Sequence, residues 1–173
     1  MNTFEIFSDS SCDLPKSIID EYHLNLVPFY ITFDQSTFKK ENEDISIDMF
    51  YNKLTEKKVF PKTSMPSVVD YVNRFEPFIK AGKDILCLTL AYSFSGSYQS
   101  ANKAKNILLE KYPNRNIIVI DTGQATAGQG LIVHQAAIMR KVGLTLERTA
   151  KKINELKKTA QIVFTVDNLE YLH

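Results

Sequence analysis

Cysteine is scarce in this sequence. Only Cys12 and Cys87 occur, far apart and outside any CxxC pair, so their spacing gives neither a disulfide framework nor a thiolate metal site. They read as small apolar thiols of a reduced protein. An excess of one charge is also missing. Twenty-one basic residues stand against 20 acidic ones, a net charge of +1, which argues against a nucleic-acid binder driven by bulk electrostatics. The N-terminus carries no basic segment followed by a long apolar one, so it does not read as a signal peptide. No apolar run nears the ~20 residues of a membrane-spanning helix. A cytoplasmic protein is expected. There is no internal repeat, no low-complexity segment and no GxxxxGK[ST] loop, and Gly128-Gln129-Gly130 is too little for a dinucleotide fingerprint.

What is present is an ordinary globular composition, 44% hydrophobic and 24% charged over 173 residues, enough for one sizeable core or at most two small ones. Residues 4–8 form a strand candidate. Asp13 is placed to cap a short helix that tolerates Pro15 in its first turn. Residues 26–33 are rich in β-formers, with Pro28 suggesting an edge, and residues 34–44 read as a surface hairpin and loop. A helix from Ser46 would align Ile47, Phe50, Tyr51 and Leu54. A second helix is opened by Ser67 and Asp70 in capping-box spacing, with Val68, Tyr71, Val72 and Phe75 as its apolar face. Between these helices, Pro61 and Pro66 exclude a helix interior.

Strand and helix then alternate. Strands are expected at 84–90, 117–120 and 161–166, and helices at 96–111, 127–141 and 145–158. Continuous apolar strands alternating with amphipathic helices predict an α/β fold, a mainly parallel sheet with helices on both faces.

In such a sheet, ligands bind beyond the carboxyl ends of the strands. Here those ends read Ser8-Asp9-Ser10-Ser11, Ser93-Phe94-Ser95-Gly96-Ser97 and Asp121-Thr122-Gly123. Ser95 falls where a helix begins. It either caps that helix or joins free N–H groups in an anion site. Thr63 and Ser64 lie in an irregular segment, where turn formation and ligand contact are both open readings. Asp9 and Asp121 could act as an acid–base pair or as metal ligands, although capping the turn after each strand is the preferred reading. None of His23, His134 and His173 sits at a strand's carboxyl end, so no base is evident for a nucleophilic serine. Ser100-Ala101-Asn102-Lys103 matches an S-x-x-K pattern whose companion motifs are missing. Catalysis by the chain itself is not expected.

These segments resemble the DegV family in order. Ser8 to Pro15 is similar to its SDS-[ST]-x-DLP signature. Lys62-Thr63-Ser64-Met65-Pro66-Ser67 resembles its TSQPS motif, with Met65 in place of Gln. Residues 90–101 resemble S-x-x-LSGTYQSA, and residues 121–130 its D-S/T…G-x-G stretch. The resemblance implies a bacterial protein that binds a long-chain fatty acid, with the chain in an apolar tunnel. It assigns the carboxylate to Thr63 and Ser95, with Ser64, Ser93 and Gly96 as supporting neighbours and no cofactor.

It further implies presentation of that carboxylate to a separate ATP-binding fatty acid kinase subunit, giving an acyl phosphate. Transient membrane contact and no nucleic-acid partner complete the expected partners. Residues 1–173 correspond to the family's N-terminal domain, without its second domain. A half-tunnel would expose apolar surface, so a dimer or weak lipid affinity is expected. The rival readings are a phosphoryl-transfer or hydrolytic enzyme using Asp9, Asp121 and Ser95, and a DNA-binding regulator.

Overall fold

Residues 85–88 show why the sheet forms where it does. Ile85 and Cys87 belong to one apolar cluster and Leu86 and Leu88 to the other, and all four are fully buried. A strand apolar on both faces needs cover on both faces. The structure, a computed structural model, describes residues 4–57, 60–163 and 165. Its main sheet holds β1 (Phe4–Asp9), β2 (Asn25–Val27), β6 (Asp84–Thr89) and β7 (Ile117–Asp121) in the order β2-β1-β6-β7, all parallel. Helices α3 (Val68–Lys80) and α4 (Ser97–Lys111) cover one face, and α5 (Thr126–Lys141) and α6 (Leu146–Leu156) the other. The expected α/β architecture is the one observed.

On the first face, Phe7 meets Phe75 edge-on at 4.8 Å and Phe78 at 5.4 Å. Each fully buried ring of this kind contributes roughly 1.5–3 kcal/mol. The two cysteines are buried in different clusters, Cys12 under α5 and Cys87 under α3 and α4. They are free thiols on opposite sides of the sheet.

Four expectations are corrected. The strand expected over residues 26–33 is two strands in two sheets. Pro28 has no N–H to donate, and after it the chain leaves the parallel sheet. It then forms β3 (Tyr30–Thr32), the centre of a small antiparallel sheet with β4 (Lys39–Lys40) and β5 (Lys62–Ser64). The segment between Pro61 and Pro66 is therefore ordered as a strand, and the prolines bound it.

Asp13 does not cap the helix α1 (Lys16–Glu21), whose N-cap is Pro15. A 3-10 turn over Ser10–Cys12 intervenes, and Asp13 ends that turn in the left-handed conformation at φ 48°. The strand expected from residue 161 is not found. Residues 161–163 form no strand, while positions 164 and 166 lie outside the described residues. This segment runs over the start of α5 instead: Gln124 Nε2 donates to the Ala160 carbonyl at 3.0 Å, and Ile162 lies beside Gly128.

Helix α2 (Ile47–Lys57) follows the small sheet and packs beside the end of β3. Phe50 packs on Phe33 with ring centroids 5.9 Å apart, and the Lys53 ammonium lies 4.9 Å from the same ring.

Candidate functional site

The carboxyl ends of β1 and β6 and the helices α4 and α5 are tied together by one buried side chain. Asp9 is fully buried and accepts four hydrogen bonds: from Ser97 Oγ at 2.6 Å, Leu90 N–H at 3.0 Å, Gln129 Nε2 at 2.8 Å and Ser11 Oγ at 2.6 Å. Because Ser97 gives its proton to Asp9, the Tyr71 hydroxyl is the donor in the 2.6 Å bond between Tyr71 and Ser97. Burial, followed by the charge of Asp9, pushes the Tyr71 phenol well above its ordinary value. Asp121 accepts from the backbone N–H groups of Tyr92 and Gly123 at 3.1 and 2.9 Å. Both aspartates thus hold turns and strand ends, the preferred reading of the sequence. Among the described residues, no group of three or more His, Cys, Asp or Glu side chains is placed to hold a metal ion.

This clasp positions the loop before α4. Ser93 lies exposed in the turn after β6, and Ser95 is half-buried with its Oγ accepting the Ser97 N–H at 3.2 Å. Ser95 therefore does bond the first turn of α4, although the N-cap residue is Gly96.

Against this loop sits the end of β5. Lys62, Thr63 and Ser64 are exposed and paired with Thr32, Ile31 and Tyr30. Ser67 and Asp70 form the expected capping box at the start of α3, which fixes the chain just past Met65. The Met65 sulfur reaches across to Gly96, 2.7 Å from where a Cβ would stand. A Cβ at this position would push the Met65 thioether aside. Met65 makes a contact that joins the Thr63-Ser64 segment to the Ser95-Gly96 loop.

The same strand β3 leads to an apolar cleft of about 500 Å³, lined by Leu14, Leu26, Ile31, Ile45, Phe50 and Tyr51 among others. It adjoins a second cleft of about 620 Å³, with Leu26 and Ile47 common to both. Ile31 is the cross-strand partner of Thr63, so the two side chains leave the small sheet on the same face. The cleft carries an acidic rim as well. Ser10 donates to Glu41 and accepts the Phe29 N–H, and Asp13 faces the same space. Burial, followed by the charge of Glu41, pushes the Asp13 carboxyl up to about 6. The cleft wall from α2 and the acidic rim were not named as site residues from the sequence. An apolar helix face without an assigned partner was the signal that could have found the wall.

The family model described as "Uncharacterised protein, DegV family" matches residues 3–173. The chain belongs to the DegV family. A DegV domain-containing protein of Clostridium perfringens is 36% identical over 173 residues, covering 99% of this chain and 59% of the relative. A fatty acid-binding protein of Thermotoga maritima is 32% identical, covering 97% and 58%. The crystal structure of a stearic acid-binding protein from Eubacterium ventriosum superposes with a TM-score of 0.83 at 39% identity, covering 87% of this chain and 52% of that one. The DegV chain described here thus spans less than two thirds of the length of these relatives. Among its described residues, no helix is long and apolar enough to cross a membrane.

Proposed function

We propose that this DegV domain binds a long-chain fatty acid, with the acyl chain in the cleft between β3, α2 and the 3-10 turn. The carboxylate lies at Thr63 and Ser95, with Ser64, Ser93 and Gly96 beside it. The observation that carries the reading is structural: an apolar cleft is walled by β3 through Ile31, whose cross-strand partner on the neighbouring β5 is the exposed Thr63. Its volume falls in the ~300–1,000 Å³ range of small-molecule pockets. Names borne by relatives, a stearic acid-binding protein and a fatty acid-binding protein, agree with it.

Magnitudes divide the work. Each buried methylene contributes about 0.8 kcal/mol, so about ten of them outweigh the roughly 1.5–3 kcal/mol of a hydrogen bond to a charged carboxylate. The chain sets affinity and the hydroxyls set orientation. The acidic rim supports the same orientation, because Asp13 and Glu41 would repel a carboxylate from the cleft's interior. The domain itself does no chemistry on this reading. It offers the carboxylate to a separate ATP-using kinase subunit, acquires lipid by transient contact with a membrane, and associates as a dimer.

Native mass spectrometry of the purified protein tests the reading. A retained long-chain fatty acid is expected, with Thr63→Ala and Ser95→Ala each weakening rebinding of oleate by about tenfold or more. A ligand-free protein that fails to take up oleate, or both variants binding as the wild type does, would overturn it.

A further inference from the structure

We propose that Met65 is a peroxide-sensitive residue of the ligand site, and that its oxidation to the sulfoxide weakens fatty acid binding. The inference rests on the site proposed above. It starts from where the sulfur is held. Strand β5 pairs with β3 up to Ser64, Pro66 is buried, and Ser67 and Asp70 lock the first turn of α3. With its backbone held on both sides, Met65 lays its sulfur and terminal methyl 2.7 and 3.0 Å from the place of a Gly96 Cβ. Thr63 lies two residues before it and Ser95 directly precedes Gly96, so the thioether bridges the two segments assigned to the carboxylate.

Access singles out the same residue. The thiols of Cys12 and Cys87 are fully buried, and burial pushes the first up to about 11 and the second well above its ordinary value. They are poor targets for oxidants. Met139 is half-buried. Among the described residues the exposed methionines are Met49, 47% exposed on α2, and Met65, 43% exposed at the site.

The chemistry is balanced with a peroxide as oxidant. The thioether sulfur attacks the O–O bond and takes one oxygen. It is oxidised by two electrons, while the remainder of the peroxide leaves as water or an alcohol. A soft apolar group becomes a strong hydrogen-bond acceptor with no proton to give. Its oxygen would compete with the fatty acid carboxylate for the hydroxyl donors of Thr63 and Ser95, and its negative end would repel that carboxylate. A methionine sulfoxide reductase reverses the change.

The experiment titrates a pyrene-labelled long-chain fatty acid into the whole chain before and after dilute hydrogen peroxide. Each protein is compared with its own reduced form, and peptide mass spectrometry locates added oxygen. Oxidised wild type is expected to bind about tenfold more weakly, the scale of one polar contact. The melting temperature should stay unchanged, and reductase treatment should restore binding. Met65→Leu should show no loss on peroxide treatment, whereas Met49→Leu should lose affinity as the wild type does. Unmodified Met65, unchanged affinity after its oxidation, an equal loss in Met65→Leu, or a loss that tracks unfolding would each overturn the inference. Those results leave the site reading standing. Reduced wild type that fails to bind the probe overturns the site reading and this inference together.

Discussion

Asp9 supplies the acceptor atoms for four donors that come from β1's own end, β6, α4 and α5. Asparagine at this position would keep the shape but turn one acceptor into a donor. Whichever way its amide is flipped, an NH₂ group faces donors in a site closed to water. Asp9→Asn is therefore expected to cost about 3 kcal/mol, read as a lower urea midpoint with an unchanged slope. Asp13 works in the opposite direction. Its carboxyl is raised to about 6 in the fold, from an ordinary 3.8, so the folded state holds the proton more tightly than the unfolded chain. Stability then rises as pH falls from about 6 to about 4, and above 6 the ionised group is a standing cost. Asn accepts the left-handed backbone at this position. Asp13→Asn should accordingly melt higher than wild type near pH 7.5. The difference should close near pH 4 in paired thermal melts.

At the scale of elements, α2 is the wall that makes a cleft out of two neighbouring sheets. Ile47 lines both parts of the cleft and is 60% exposed. A larger side chain there can fill the space without breaking a core. Ile47→Trp is expected to abolish retention of a fatty acid in native mass spectrometry while leaving the melting temperature within about 2 °C, because surface changes of this kind stay near ±0.5 kcal/mol.

The apolar face of α2 was legible in its sequence; the surface it turns toward was not, since β3 and the 3-10 turn reach it only through the tertiary fold. The same division holds elsewhere. Strands β6 and β7 announce themselves as unbroken aliphatic runs between amphipathic helices. Strand β5 has three polar, exposed residues between prolines, and its pairing with β3 spans a long stretch of chain. Short strands of this kind are set by their partners and carry little signal of their own. The roles proposed for Thr63 and Ser95 come from family resemblance and helix-terminus chemistry. The Met65 bridge could not, because it depends on how two distant loops approach each other.

The whole molecule presents apolar surface around the proposed carboxylate site. Phe94 is 69% exposed, Tyr92 54% and Met65 43%. Tyr92 stacks edge-on with Tyr98 at 6.3 Å, and Met65 sits on Gly96, so Tyr92, Phe94 and Met65 share the neighbourhood of the α4 start. Single exposed apolar residues are normal, but a cluster of large ones beside a binding site favours association. Net charge adds little resistance, since +1 leaves almost no long-range repulsion between copies. Sedimentation velocity across a concentration series should therefore show reversible self-association. Phe94→Ser should shift it toward monomer, and added salt should change it little, because the contact is apolar. A monomer at every concentration would remove the dimer from the proposed function. It would leave the fatty acid site intact, because Ile31 of the cleft wall and Thr63 are cross-strand partners within one copy of the chain.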